Sequence, residues 1–253
     1  MVVIRIAKMT LLDHYNQLAT NYDKFYEWRN RVFDLDGVIE LVVESARISP
    51  DHIVLEMGAG TATILLRVRD CVGSNREYIA VDPCQAMLDQ ALKKCDSLRT
   101  YCMDAEQFCN TNISYDVMII CSALRHFEHQ MHEVFPKFVN QLNDGGHVVI
   151  LQGTCVWPGL TDADRYTTMT ADFIVSKLET CGLQAHASLH HHDIEFLVEE
   201  YADMLRGRYA SVMKDYSDAF IEEIITGLNV ENGLVKFNFE YLCIVAVKSS
   251  ENN

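Results

Sequence analysis

The stretch of sequence that decides the fold is Val54-Leu55-Glu56-Met57-Gly58-Ala59-Gly60-Thr61-Ala62. It starts with a short apolar run that ends in an acid, which predicts a buried β-strand. The two glycines that follow predict a tight turn, and residues 61–68 are typical of a helix. Because glycine has no Cβ, the backbone of such a turn can come within contact distance of a ligand. The stretch therefore predicts a strand, a turn and a helix that border a ligand site.

Two more acids end apolar runs further along the chain. Asp82 follows a predicted strand at residues 79–81, and Asp104 follows one at residues 100–103. In an open parallel sheet, ligands bind outside the carboxyl ends of the strands. There, Asp82 could accept hydrogen bonds from two ribose hydroxyls and Asp104 one from an adenine amino group. Each acid is equally well explained as a helix N-cap, and Pro83 suits the first position of a helix.

Short apolar runs alternate with helical stretches from residue 52 onward, which predicts an α/β fold with a parallel sheet covered on both faces. The C-terminal third differs, with a predicted strand at 184–191, helices within 194–228 and a long final strand at 236–247. We therefore expect an N-terminal helical lid at residues 1–48. A main domain at 49–253 would carry a helical insertion at about 193–230.

Two classes of ligand fit the turn. A dinucleotide would place its pyrophosphate at the helix N-terminus, but that arrangement favours glycine at position 63, where the residue is Thr63. It also disfavours a carboxylate such as Glu56 beside the phosphates. S-adenosylmethionine carries an amine and a sulfonium, and both cations favour a nearby carboxylate.

The ordered set of Glu56, Gly58, Gly60, Asp82 and Asp104 resembles the class I S-adenosylmethionine-dependent methyltransferases of the small-molecule type. The resemblance covers roughly residues 50–155. One departure is Ala62, where many members carry a third glycine. The resemblance implies a Rossmann-like, seven-stranded sheet whose last strand is antiparallel. It also implies S-adenosyl-L-methionine as the cofactor and S-adenosyl-L-homocysteine as the product.

The resemblance also implies roles for individual residues. In many small-molecule members, aromatic residues of a lead-in similar to residues 15–23 close over the cofactor, where an aromatic face gains about 0.5–2 kcal/mol from a cation. The expected cofactor-binding residues are Tyr15, Tyr22, Arg29, Glu56, Gly58, Ala59, Gly60, Asp82, Pro83, Met87, Asp104, Ala105 and Cys121.

The acceptor side is predicted from a segment that follows the fourth strand. Leu124-Arg125-His126 resembles the Leu-His-His segment of small-molecule members, with Arg125 in place of the first His. His126 titrates near neutral pH and could act as a general base, although methyl transfer does not always need one. The candidate catalytic residues are His126 and Tyr22. The candidate substrate-binding residues are Tyr26, Arg125, His126, Trp157 and Arg206.

Composition limits the partners. The 21 basic and 36 acidic residues give a net charge of −15, which disfavours nucleic acid and anionic membranes. We expect a small-molecule acceptor and make no prediction of oligomeric state. Nine cysteines without a secretory signal or a membrane-spanning run predict a reducing, cytoplasmic setting. Residues 190–192 are three consecutive histidines, but neighbours on a strand face opposite sides, so we expect no metal site.

Three alternatives stay open at this point. The chain could be a non-catalytic module that binds the cofactor or a partner protein. It could be an NAD(P)-dependent oxidoreductase, against which the absence of glycine at position 63 argues. It could also methylate a protein or an RNA, although its negative charge disfavours RNA.

Overall fold

The computed structural model describes residues 9–24, 27, 35–73, 77–154, 156–161 and 169–249. The strands are β1 Val54–Met57, β2 Tyr78–Val81, β3 Arg99–Tyr101, β4 Tyr115–Cys121, β5 Leu142–Gly153, β6 Leu183–Leu197 and β7 Leu234–Lys248. The α-helices are α1 Leu11–Leu18, α2 Leu35–Ser45, α3 Thr63–Val72, α4 Gln85–Lys94, α5 Ala105–Phe108, α6 Met131–Gln141, α7 Ala171–Thr180, α8 Val198–Gly207 and α9 Asp218–Thr226. Among the described helices, none has the length and apolar character that crossing a membrane would require.

The seven strands form one sheet in the order β3-β2-β1-β4-β5-β7-β6. Strands β1 to β5 run parallel to one another, whereas β7 is antiparallel to both of its neighbours, β5 and β6. This arrangement confirms the predicted Rossmann-like sheet with an antiparallel last strand. The order reverses between β1 and β4, which is where open α/β sheets bind ligands.

Apolar side chains cover both faces of the sheet, as expected for strands that are buried on two sides. On one face, β1 and β4 pack against α2, α3 and the helices between β6 and β7 through residues such as Val54, Val117 and Leu205. On the other face, Leu55, Met118 and others pack against α5, α6 and α7. The two layers hold the strand ends rigidly and so fix the position of the turns that follow them.

The two C-terminal strands, β6 and β7, are longer than the sequence pattern predicted. Strand β6 continues to Leu197, and the helices between β6 and β7 begin at Val198 rather than near residue 193. Ile194 and Phe196 are buried, while Asp193 and Glu195 are exposed. This period of two keeps the chain extended beyond the predicted end of the strand.

Candidate functional site

A cavity of about 350 Å³ opens at the carboxyl ends of β1 to β4. Three glycine-turn residues and two acids from neighbouring strand ends lie in its wall, together with side chains of α1. We call this space the central cavity, and the residues that line it are Leu11, Leu12, Tyr15, Tyr22, Met57, Gly58, Ala59, Gly60, Asp82, Pro83, Cys84, Met87, Met103, Asp104, Ala105, Cys121, Ser122, Ala123, His126, Phe127, His129 and Gln130.

The glycine turn adopts a backbone that suits glycine at both positions. Gly58 has φ +72° and Gly60 has φ +54°. The turn is held against β2 because the amides of Gly58 and Ala59 both donate to the carbonyl of Val81, at 2.8 and 3.0 Å. A Cβ on Gly58 would lie 2.4 Å from the Cβ of Ala123, so glycine is required there by packing as well as by conformation.

Gly60 serves the cavity rather than the core. A Cβ at this position would meet only Cε1 of Tyr22, at 3.9 Å. Gly60 lines the central cavity, so its bare backbone leaves room for a ligand to come close. Helix α3 starts at Thr63, two residues later than predicted, because Ala62 is left-handed with φ +55°.

The carboxylate of Glu56 is buried within the fold, two residues before the glycine turn. Its Oε2 accepts a hydrogen bond of 3.1 Å from the amide of Leu65 in the first turn of α3. Glu56 is absent from the cavity lining. The reason is that Glu56 lies within β1, which ends at Met57, so the carboxylate fixes α3 beneath the turn.

Asp82 joins the glycine turn to the start of α4. Its Oδ2 accepts from the amide of Gly60 and its Oδ1 from that of Cys84, both at 2.8 Å. Each carboxylate oxygen has two acceptor sites, so both keep capacity for a ligand hydroxyl. Removal from water raises the pKa of Asp82 to about 6, although the two amide hydrogen bonds act in the opposite direction. Pro83 follows Asp82 in the cavity wall.

Asp104 lines the cavity at the end of β3 and also caps α5. Its Oδ1 accepts from the amide of Gln107 at 2.8 Å, and the Gln107 side chain accepts from the Asp104 amide at 3.0 Å. This reciprocal capping box fixes the position of the carboxylate. Ala105 is the first residue of α5, and the buried Met87 reaches the same wall from α4.

The rings of Tyr15, Tyr22 and His126 also line the cavity. The hydroxyl of Tyr15 lies 3.3 Å from Nε2 of His126, and the Tyr15 ring meets both Tyr22 and His126 edge-on, with ring centroids 6.0 Å apart. Burial, with smaller contributions from Arg125 and His14, lowers the pKa of His126 to about 4. The imidazole is therefore neutral at pH 7.

Not every predicted site residue reaches the central cavity. Arg125 and Trp157 are absent from its lining, and Trp157 is buried in an aromatic group with Tyr201, Phe237 and Phe239. Arg206 pairs with Glu222 at 2.7 Å on the surface of α8. Tyr26 and Arg29 lie outside the described residues.

The cavity includes side chains that sequence reasoning missed. Leu11 and Leu12 reach it because α1 lies against α4. Ser122 follows β4 in a left-handed turn with φ +54°, and His129 and Gln130 belong to the short helical turns that precede α6. Only Ser122 had a usable signal, namely its position directly after a predicted strand. Among the described residues, no cluster of three His, Cys, Asp or Glu side chains suits a metal ion.

The sheet order, the antiparallel β7 and a glycine turn flanked by strand-end acids are the features that the resemblance to class I S-adenosylmethionine-dependent methyltransferases implied. Residues 54–146 match the family described as methyltransferase domain. The match covers the part of the chain from β1 into β5 and shows a methyltransferase domain there. The match favours a methyltransferase over the oxidoreductase considered from the sequence.

Solved structures share the fold at low identity. The YcgJ protein of Bacillus subtilis is 15% identical with a TM-score of 0.64, over 85% of this chain and 99% of that one. Phosphoethanolamine N-methyltransferase 2 of Haemonchus contortus is 13% identical with a TM-score of 0.62, over 96% of this chain and 61% of that one. The cyclopropane synthase MmaA2 of Mycobacterium tuberculosis is 12% identical with a TM-score of 0.60, over 94% and 95%. No curated protein matches the sequence.

Proposed function

We propose that the chain transfers a methyl group from S-adenosylmethionine to a small-molecule acceptor. The observation that carries this proposal is a single cavity that joins two strand-end acids, Asp82 and Asp104, to a neutral imidazole across a glycine turn. The acids suit an adenosyl group, and the imidazole of His126 suits an acceptor that must lose a proton.

The cavity residues fit the cofactor chemically. The remaining acceptor sites of Asp82 match a pair of ribose hydroxyls, and Asp104 with the start of α5 matches the edge of an adenine. The backbone at Gly60 is open to the cavity and would let the cofactor approach closely. The faces of the Tyr15 and Tyr22 rings can attract a sulfonium. When bound, S-adenosylmethionine supplies an electrophilic methyl group.

The contribution of the chain to catalysis is mainly positional. Transfer requires the acceptor's lone pair in line with the carbon–sulfur bond, and a fixed geometry supplies much of the acceleration. His126 starts neutral, so its ring can accept a hydrogen bond or a proton from an acceptor hydroxyl, thiol or ammonium, but its lowered pKa makes it a weak base. Tyr15 fixes the ring of His126 through their hydrogen bond and lines the same cavity.

Acceptor recognition depends on the residues near His126 in the central cavity. Of the predicted substrate-binding residues, His126 lines the cavity, whereas Arg125, Trp157 and Arg206 do not. We therefore propose His126 as the acceptor-facing residue. The net charge of −15 supports a small acceptor over nucleic acid or an anionic membrane. A cytoplasmic setting stays a prediction.

The test has a binding arm and a turnover arm. Calorimetry measures the affinity for S-adenosylmethionine and S-adenosylhomocysteine. Labelled cofactor is then offered with amines, phenols, thiols, carboxylates and a phosphorylated amino alcohol, the last chosen from the name of the Haemonchus protein. We expect binding of both nucleosides and labelling of at least one acceptor. Binding with no labelling, including from a metabolite extract, would instead support the non-catalytic module.

Two histidine variants assign the reaction to the site. His126→Ala should lower kcat for a proton-bearing acceptor by about 10²- to 10⁴-fold. His132→Ala is the matched control, because His132 is exposed on α6 and is absent from the cavity lining. If both variants lose activity equally, His126 does not act at the reacting atoms.

A further inference from the structure

Asp23 is the centre of a hydrogen-bond network that connects three distant parts of the chain. Its Oδ1 accepts from the hydroxyl of Thr61 at 2.5 Å and from that of Thr63 at 3.2 Å. Lys94, the last residue of α4, donates to both Asp23 oxygens, at 3.0 and 3.2 Å, and to Thr63 at 3.0 Å. The network thus ties the N-terminal segment to the glycine turn and to α4.

Asp23 is next in sequence to a residue of the cavity wall, so its hydrogen-bond network can influence the shape of the cavity. Its neighbour Tyr22 lines the central cavity, and Cε1 of Tyr22 lies 3.9 Å from the site that a Cβ on Gly60 would occupy. Tyr15 lies edge-on to Tyr22 and hydrogen-bonds to His126. We call the rings of Tyr15, Tyr22 and His126 the aromatic wall. The placement of Tyr15 and Tyr22 in this wall therefore depends on how the N-terminal segment is attached at Asp23.

The polar contacts are of unequal strength. Thr61 is fully buried, and its hydroxyl also lies 3.2 Å from that of Thr63. Loss of Asp23 would therefore remove the charged partner of this hydroxyl and leave only Thr63 beside it. The Lys94–Asp23 ion pair is part-exposed, with side chains 32% and 44% accessible, and should weaken with salt. The part-buried hydrogen bond from Thr61 holds the segment, and the ion pair adds a smaller, salt-sensitive contribution.

We propose that Asp23 is a positioning residue that clamps the segment bearing Tyr15 and Tyr22 over the glycine turn, with Thr61 and Lys94 as its partners. This inference rests on the proposed function. Asp23 acts through the aromatic wall and does not touch the reacting atoms. Its removal should loosen the wall and speed the loss of bound nucleoside, while the remainder of the fold stays intact.

The test uses the full chain and S-adenosylhomocysteine as the probe. Asp23→Ala should weaken binding about tenfold, which corresponds to about 1.4 kcal/mol. Asp23→Asn keeps an acceptor for Thr61 and should lose less. Lys94→Met should resemble Asp23→Asn. Hydrogen exchange at residues 9–24 should accelerate in all three variants.

Asp36→Asn is the matched control. Asp36 also pairs with a residue of α3, Arg67, at 2.6 Å, but it lies outside the central cavity. Its loss should leave the affinity unchanged. The wild-type affinity should fall with added salt, and Asp23→Asn should remove most of that dependence.

A double-mutant cycle with Tyr22→Ala separates positioning from general stability. If Asp23 acts through the aromatic wall, adding Asp23→Asn to Tyr22→Ala should cost little further affinity. Additive losses, or losses that only follow the fall in Tm, would overturn the proposal. Should Asp23→Ala fail to fold, Asp23→Asn and Lys94→Met carry the test. No binding by the wild type would instead refute the proposed function.

Discussion

Replacing Gly58 by alanine should damage both the turn and the fold. The magnitude has two parts, of which the first is conformational: Gly58 has φ +72°, where an L-residue costs about 1–2 kcal/mol. The second part is steric, because the new Cβ would lie 2.4 Å from the Cβ of Ala123 and one of the two must move by about 1 Å. Overpacking of this kind costs about 1–3 kcal/mol.

The sum is a loss of about 2–4 kcal/mol in the free energy of unfolding, after about 0.4–1 kcal/mol is returned by the stiffer unfolded chain. Urea unfolding followed by circular dichroism measures this loss. Calorimetry with S-adenosylhomocysteine should show weakened binding in whatever fraction stays folded, because the turn lines the central cavity.

Two further variants separate the two parts. Gly233→Ala is the control for the conformational cost, since Gly233 has φ +78° and an added Cβ would meet nothing within 4 Å. Gly58→Ala combined with Ala123→Gly removes the collision and should recover about 1–3 kcal/mol. The reasoning fails if Gly58→Ala is no more harmful than Gly233→Ala, or if Ala123→Gly restores nothing.

Other predictions concern titration and backbone strain. Because burial raises the pKa of Asp82 from 3.8 to about 6, its contribution to stability is present below about pH 4 and lost as pH rises through 6. The unfolding free energy of the unliganded wild type should therefore fall by about 2–3 kcal/mol relative to Asp82→Asn between pH 4 and pH 6.5, as urea unfolding would measure. With a His126 pKa of about 4, the pH profile of methyl transfer should show no inflection at 6.5 from this residue, and an inflection there that vanishes in His126→Ala would contradict the assignment. Arg47→Gly should raise the unfolding free energy by about 1 kcal/mol, because Arg47 is exposed at the end of α2 with φ +47°; Arg47→Ala should give no such gain in Tm.

Local signals were sufficient to predict the frame of the site. The apolar runs with their terminal acids predicted β1, β2 and β3, and Asp82 and Asp104 do line one cavity. These features depend on residues that are close in sequence, where the pattern of a strand and the chemistry of a turn act directly.

The sequence pattern could not predict contacts between residues that are far apart in the chain. Asp23 meets Thr61 and Lys94 across 38 and 71 positions, and nothing in the spacing of these residues indicates the pairing. The contact of Glu56 with the start of α3 was likewise outside the sequence pattern. An acid within a strand that is buried on both faces must find an internal partner, and the amide of Leu65 supplies it.

The place of β7 between β5 and β6 has a consequence for biosynthesis. Strand β6 pairs only with β7 within the described sheet, although β7 comes about forty residues later in the chain than the end of β6. On a ribosome that makes the chain from its N-terminus, β1 to β5 can assemble early, while β6 waits without a neighbour until residues 234–248 emerge. Nascent chains paused before this point should expose the edges of β5 and β6 that β7 covers in the finished sheet, and should engage chaperones.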